Sequence, residues 1–220
     1  MLLVGASRGL GLALWRRCAA DGWQVTAVAR GPVQAAPAGE FLRLDLASPG
    51  DVQTLCHRCE TEHFDCIVYV AGVWEQEAFA QTPADTLRQL VDTNLVAPLL
   101  LGQALLRAPQ STGRMARRHF ILIGSTAGLD NEGSASAGYV STKFGLRGLA
   151  HAMREAARGC ALYVTCLSVG ALATADDAAD TDVPRVPADD VYRLLLTIVS
   201  LSDRALVKEV VLPAWADGDV

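Results

Sequence analysis

VGASRGLGLAL, residues 4–14, sets three glycines, Gly5, Gly9 and Gly11, in the spacing G-x-x-x-G-x-G. The apolar run Met1–Val4 leads into it and an apolar-periodic run leads out. A short strand, a glycine turn and a helix in that order aim backbone N–H groups and a helix N-terminus at an anion. The glycines let phosphates approach the backbone and keep strand and helix close. Gly5, Ser7, Arg8, Gly9, Leu10 and Gly11 are therefore the candidate phosphate cradle.

The end of the next apolar run refines this. A site for NAD usually has Asp or Glu there, holding the ribose 2′-hydroxyl. VTAVARG puts Arg30 near that place, and Arg8 lies inside the glycine turn. Two guanidinium groups can hold a 2′-phosphate through charge-assisted hydrogen bonds. The expected cofactor is therefore NADP(H), with NAD(H) as the alternative. Asp45, in RLDLAS after the third strand, is placed to accept a hydrogen bond from the adenine amino group, with Leu46 beside it.

Short β-branched runs alternate with longer helical patterns along all 220 residues. Strands are expected at 2–4, 24–29, 41–44, 66–70, 119–123, 162–167 and 206–212. Helices are expected at 10–21, 49–62, 83–106, 140–158 and 188–200. This alternation predicts one α/β domain, 1–220, with a parallel sheet of about seven strands and helices on both faces. Pro98 falls inside the third expected helix and should kink it, because its missing N–H leaves the Asn94 carbonyl without an i+4 partner. The stretch at 173–187, ATADDAADTDVPRVP, is acidic and poor in large apolar residues and reads as a loop.

A net charge of −5 argues against a nucleic-acid or anionic-membrane partner. The richest apolar run, LVAPLLLGQALL, is shorter than the roughly 18 residues of a span, and the glycine turn arrives too early for a signal peptide. Six scattered cysteines read as reduced thiols, which places the chain in the cytoplasm. Cys56, His57, Cys59 and His63 could be written as a metal site. The better reading is a helix opened by Ser48 with Cys56 and Cys59 on its apolar face, so no metal is expected.

GYVSTKFGL contains Tyr139 and Lys143 at i and i+4, on one face of a helix. A free tyrosine titrates near pH 10, and a cation nearby favours the phenolate that acid–base work requires. ILIGSTAG adds Ser125 just beyond the fifth strand, at the carboxyl edge where ligands bind in open α/β sheets. With these residues in view the sequence resembles the short-chain dehydrogenase/reductase family. The likeness rests on GASRGLG, on Ala71–Gly72 after strand four, on Asn94 in DTNLVAP, on Ser125 and on YVSTK. It runs along nearly the whole chain and is nearest to the compact carbonyl-reductase-like members.

The resemblance implies a Rossmann doubly wound fold and an NAD(P)-dependent oxidoreductase. It implies that Tyr139 is the proton donor in reduction and that Lys143 favours the Tyr139 phenolate and holds the nicotinamide ribose. Ser125 would bond the substrate oxygen, and Asn94 would position a water in a proton relay. Val169, Gly170 and Thr174 join Ala71 and Gly72 on the nicotinamide side. The implied activity is NADPH-dependent reduction of a ketone or aldehyde, by a homodimer or homotetramer. The alternative is a non-enzymatic dinucleotide sensor on the same fold. The chain departs from the family pattern at Tyr69–Val70, where NN is usual before AG, and at Val169, where proline is usual before glycine. Fourteen positions separate Ser125 from Tyr139, slightly more than the common interval. Trp74, Glu75, Leu129, Asp130 and Asn131 are expected at the pocket mouth.

Overall fold

A computed structural model describes residues 1–75, 77–109, 117–129, 136–173 and 184–216. Its centre is a seven-stranded parallel sheet. In chain order the strands are β1 (Leu2–Val4), β2 (Thr26–Ala29), β3 (Glu40–Arg43), β4 (Cys66–Tyr69), β5 (Arg118–Ile123), β6 (Leu162–Val169) and β9 (Glu209–Leu212). A separate pair, β7 (Leu172–Ala173) with β8 (Val186–Pro187), lies beyond β6. The sheet order is β3-β2-β1-β4-β5-β6-β9, so the order in which strands are added reverses between β1 and β4. That reversal opens a crevice beyond the carboxyl ends of the strands, the usual ligand place in such sheets.

Six α-helices cover the faces among the described residues: α1 (Gly9–Ala20), α2 (Pro49–Thr61), α3 (Ala84–Val91), α4 (Ala97–Arg107), α5 (Ala137–Ala156) and α6 (Ala188–Ser200). Strand side chains alternate between two cores, as the pleat demands. Leu2, Val4, Ile67, Tyr69, Phe120 and Leu122 pack toward α2, α4 and α5. Leu3, Val68, Ile121, Ile123 and Leu167 pack toward α1 and α6. Near-continuous burial of β4, β5 and β6 follows, and explains why their sequences are apolar at almost every position. Cys59 is buried in the first core and Cys66 in the second, and burial pushes both thiols up to about 12. Among the described residues no three His, Cys, Asp or Glu side chains converge as a metal would need.

Two expectations change. The segment around Pro98 carries a π-turn, Asp92–Val96, between α3 and α4 rather than a simple kink. The Ala97 N–H reaches back to the Asp92 carbonyl, a five-residue bond that absorbs the irregularity in place. The whole element Ala84–Arg107 is then 24 residues long, with a mean hydropathy of 1.2 in its richest window. By length and composition it could cross a bilayer, contrary to the sequence reading. Half of that window is buried inside the fold, where α4 packs on α2 and α5. Thr174 and most of the acidic stretch lie outside the described residues.

His119 sits in β5 with 6% of its surface exposed and no partner on either ring nitrogen. Its ring lies 5.4 Å from that of Tyr163. Burial first, and the Arg117 guanidinium second, push it down from 6.5 to about 4. A base whose folded value is depressed binds its proton more readily in the unfolded chain. Its contribution to stability is complete above about pH 6.5 and is lost as the pH falls toward 4. Urea unfolding across that window should show a steeper loss in the native chain than in His119→Phe. Identical slopes would remove the assignment to His119.

Candidate active site

The crevice is a cleft of about 680 Å³. Its floor at one end is the turn after β1. Gly5 has φ +97 and lies against Ala71, so any side chain there would strike that backbone. A Cβ on Gly11 would fall on the Gly5 carbonyl oxygen, which is why the helix can start so close to the strand. Gly9 has φ +52. The Gly5 and Ala6 N–H groups bond the Val28 carbonyl, tying the turn to β2. Arg8 occupies the N-cap of α1 in extended conformation, with no side-chain capping bond and no acid in the first helical turn. This cradle fits the pyrophosphate of a dinucleotide: backbone donors, a helix N-terminus and side-chain-free glycines face one space.

Arg30, Gly31, Asp45 and Leu46 line the same cleft farther along. Asp45 is fixed by two bonds, its N–H to Asp51 Oδ2 at 2.7 Å and its Oδ1 from the Ala47 N–H at 3.0 Å. A further arginine lies next to Arg30, outside the cleft lining. Arg43 closes β3 in register with Ala29, and its Nε donates to the Arg30 carbonyl at 3.2 Å. A residue directly after a short apolar run, in FLRLD, was the available signal.

At the other end Ser125, Tyr139 and Lys143 face the cleft together with Ala71, Gly72, Val169 and Gly170. Ser125 Oγ accepts the Ala127 N–H at 3.2 Å, which leaves its own hydrogen free to donate. Lys143 is buried and donates to the Ile123 carbonyl at 3.0 Å, with its Nζ 5.4 Å from the centre of the Tyr139 ring. A Cβ on Gly72 would come within 3.6 Å of Lys143 Nζ and 3.7 Å of Asn94 Oδ1. Asn94 itself is beneath the surface, 1% exposed. Its Oδ1 accepts the Val73 N–H at 2.9 Å, and its Nδ2 donates to the Val73 carbonyl and to Thr142 Oγ1. The side chain therefore acts as a clamp on backbone, with both Nδ2 hydrogens committed.

The departure at Tyr69 has a physical reason. The π-turn takes the Ala97 N–H to Asp92, and residue 98 is proline, so neither can serve the Thr93 carbonyl. The Tyr69 hydroxyl donates to that carbonyl at 2.5 Å. Burial pushes the phenol well above its usual range, so it stays a neutral donor.

Of the residues expected at the mouth, Trp74 lines the cleft. Leu129 is buried and does not line it, and Glu75 is buried against α5. Asp130 and Asn131 lie outside the described residues. Gln89, Thr93 and Leu172 line the cleft without having been singled out, since only the fold brings α3 and β7 to it.

A model of the short chain dehydrogenase family matches residues 1–182, and the chain belongs to that family. Among curated proteins it is similar to the 3-oxoacyl-[acyl-carrier-protein] reductase FabG of Escherichia coli K12, 27% identical over 200 residues that span 86% of this chain and 77% of the relative. It is 29% identical over 189 residues to MabA of Mycobacterium tuberculosis, a protein of the same description, spanning 84% and 71%. Among solved structures, a short chain dehydrogenase from Burkholderia cenocepacia in complex with NADP superposes with a TM-score of 0.84 at 21% identity, over 99% and 97% of the two chains. A 4-hydroxyisoleucine dehydrogenase complexed with NADH gives 0.83 at 22%, over 99% and 98%. Those two likenesses establish the shared fold. The family match and the reductase relatives make this chain an NAD(P)-dependent oxidoreductase.

Tyr69→Phe keeps the ring and removes only the donor, leaving a buried carbonyl unpaired. The expected cost is about 1–3 kcal/mol of unfolding free energy. Urea titration of the two proteins measures it.

Proposed function

We propose that the protein reduces a small ketone or aldehyde with NADPH, the reverse oxidation of the alcohol being open to it. The observation that carries this reading is the common cleft. Ser125, Tyr139 and Lys143 stand at one end, and the glycine turn with Arg8 and Arg30 stands at the other. Gly5, Ser7, Gly9, Leu10 and Gly11 would hold the pyrophosphate, and Arg8 and Arg30 the 2′-phosphate. Asp45 and Leu46 would hold the adenine. Ala71, Gly72, Val169, Gly170 and Thr174, with Tyr139 and Lys143, would hold the nicotinamide half. When bound, the nicotinamide supplies a hydride to the carbonyl carbon.

The residues of the chain handle the oxygen. Ser125 donates its hydroxyl hydrogen to the carbonyl oxygen and orients it. The Tyr139 hydroxyl gives up its proton to that oxygen as negative charge builds there. Lys143 spends one of its three donors on Ile123, and its Nζ stands 5.4 Å from the centre of the Tyr139 ring. Asn94 enters through its main chain. Pro98 deprives its carbonyl of the i+4 N–H, and a water on that carbonyl would return a proton through Lys143. In Pro98→Ala the carbonyl regains a helical partner and reprotonation slows.

The reading extends to a cytoplasmic homodimer or homotetramer. Val91, Leu99, Leu100 and Phe144 stand exposed on α3, α4 and α5, as an association face requires. A monomeric mass independent of concentration in sedimentation would overturn that part.

Turnover of a panel of aliphatic and aromatic ketones and aldehydes tests the activity. Tyr139→Phe should lower kcat by about 10²–10⁴-fold and leave NADPH affinity nearly unchanged. Arg30→Asp should weaken NADPH by about 10–100-fold, the worth of a charge-assisted bond, with little effect on NADH. Fluorescence titration reads both. A Tyr139→Phe protein of normal rate would end the proposed chemistry. Equal native affinity for the two cofactors would end the proposed preference.

A further inference from the structure

The N-terminus of α5, which carries Tyr139, takes no cap from its own N-cap side chain. Ser136 is its N-cap residue, but its side chain makes no capping bond, and the first turn holds no acid. The opening N–H groups of a helix need partners when they are buried. Here the partner comes from more than sixty residues away. Glu75 Oε1 accepts the Gly138 N–H at 2.7 Å, and Glu75 Oε2 accepts the Tyr139 N–H at 3.0 Å. The carboxylate is 4% exposed, and no lysine or arginine among the described residues pairs with it. A buried carboxylate held only by helix N–H groups is stable because the helix end carries partial positive charge. The seat is tight. A Cβ on Gly138 would lie 3.2 Å from Glu75 Oε1 and 3.0–3.1 Å from Leu90 and Leu87.

The same loop reaches α5 by a second route. Asn94 grips both main-chain groups of Val73 and donates to Thr142 Oγ1 at 3.0 Å. Thr142 in turn donates to the Tyr139 carbonyl at 2.7 Å. Val73, Asn94, Thr142, Tyr139 and Glu75 therefore form a ring closed by the backbone of Trp74. Both main-chain groups of Tyr139 belong to it, the N–H through Glu75 and the carbonyl through Thr142.

We propose that Glu75 is a positioning residue: by closing this ring it fixes how far the Tyr139 hydroxyl projects toward the substrate oxygen. Its catalytic consequence rests on the reading of Tyr139 as the proton donor, whereas its geometric consequence does not. Glu75 touches neither the cleft nor the reacting atoms, so its loss should act on the chemical step more than on cofactor binding.

The test uses the full chain labelled with ¹³Cζ-tyrosine. It has four tyrosines, and Tyr139→Phe identifies the Tyr139 resonance. In Glu75→Gln, which keeps the shape and one acceptor, that resonance should move, and the Gly138 and Tyr139 amides should exchange about tenfold faster or more. Gly138→Ala leaves the carboxylate intact but displaces it, and should move the same signals. With NADPH and the carbonyl that the native chain reduces fastest, Glu75→Gln should lose about 10–100-fold in kcat, while NADPH affinity by fluorescence stays within about twofold. Combined with Thr142→Val, the loss should fall short of the product of the single losses, as members of one ring require. An unmoved Tyr139 resonance with native amide exchange overturns the proposal. So does a parallel fall in kcat, NADPH affinity and melting temperature with the resonance in place, which assigns Glu75 to stability alone. A native chain that turns over no carbonyl defeats the functional reading, and the resonance and exchange measurements still decide the role of Glu75.

Discussion

Both main-chain groups of one residue, Val73, are held by one side chain. Asn94, buried in the π-turn, accepts from the Val73 N–H and donates to the Val73 carbonyl, as a neighbouring strand would. β4 ends at Tyr69, and the chain beyond it has no sheet partner of its own apart from the bonds of Val70 and Ala71 to the Val4 carbonyl. The amide of Asn94 and the carboxylate of Glu75 together fix the height of the loop that carries Gly72, Val73 and Trp74 along the cleft. Lys143 Nζ and Asn94 Oδ1 both lie close to where a side chain on Gly72 would begin, at 3.6 and 3.7 Å. The π-turn is what brings Asn94 there. It takes the Ala97 N–H back to Asp92 just before Pro98, and Tyr69 from the sheet satisfies the Thr93 carbonyl that is left without a helical partner.

Among the helix N-termini on the carboxyl side of the sheet, those of α1 and α5 are treated oppositely. α1 begins with an extended arginine, no side-chain cap and no acid in its first turn, so its positive end faces the cleft. α5 begins against the buried carboxylate of Glu75, so its positive end is neutralised from inside the protein. A dinucleotide carries its charge in the phosphates and presents a flat nicotinamide to the reacting oxygen. In the proposed reading, leaving one helix end available and closing the other would direct the anionic part toward α1. It also keeps anions from competing for the first turn of α5, next to the phenol.

Much of this architecture was legible in sequence. The seven strands fall within a few residues of the positions expected from β-branched runs, because strands buried on both faces have little freedom of composition. Gly5, Gly11, Tyr139 and Lys143 were legible for another reason: each answers a local demand, a tight turn or an i, i+4 pair, that spacing alone expresses, and Ser125 was legible from its place just beyond the fifth strand. Glu75 and Tyr69 were not. Their partners, Tyr139 and Thr93, are distant in sequence, and nothing in VWEQ or CIVYV announces a carboxylate turned inward or a hydroxyl reaching a π-turn. Arg43 falls between these cases, since its place at the end of β3 could be read but its approach to Arg30 needed the register of β2 against β3.

The substitution of Tyr69–Val70 for the family's usual amides shows how such a site tolerates change. The requirement at residue 69 is a buried donor for one orphaned carbonyl, placed on a strand whose other contacts are apolar. A tyrosine meets it by contributing a large ring to the core shared with Leu101 and Phe120, with only its hydroxyl needing a polar partner. Hydrophobic burial then stabilises the same residue that completes the hydrogen-bond ladder. Strand β4, the π-turn and α4 become parts of one packed unit, and Trp74, whose indole is 56% exposed, stands just beyond it between the fixed residues Val73 and Glu75. The backbone at the mouth of the cleft is thus set by buried partners on both sides. Changes in the side chain at 74 can alter what the cleft admits without releasing the residues that hold Tyr139.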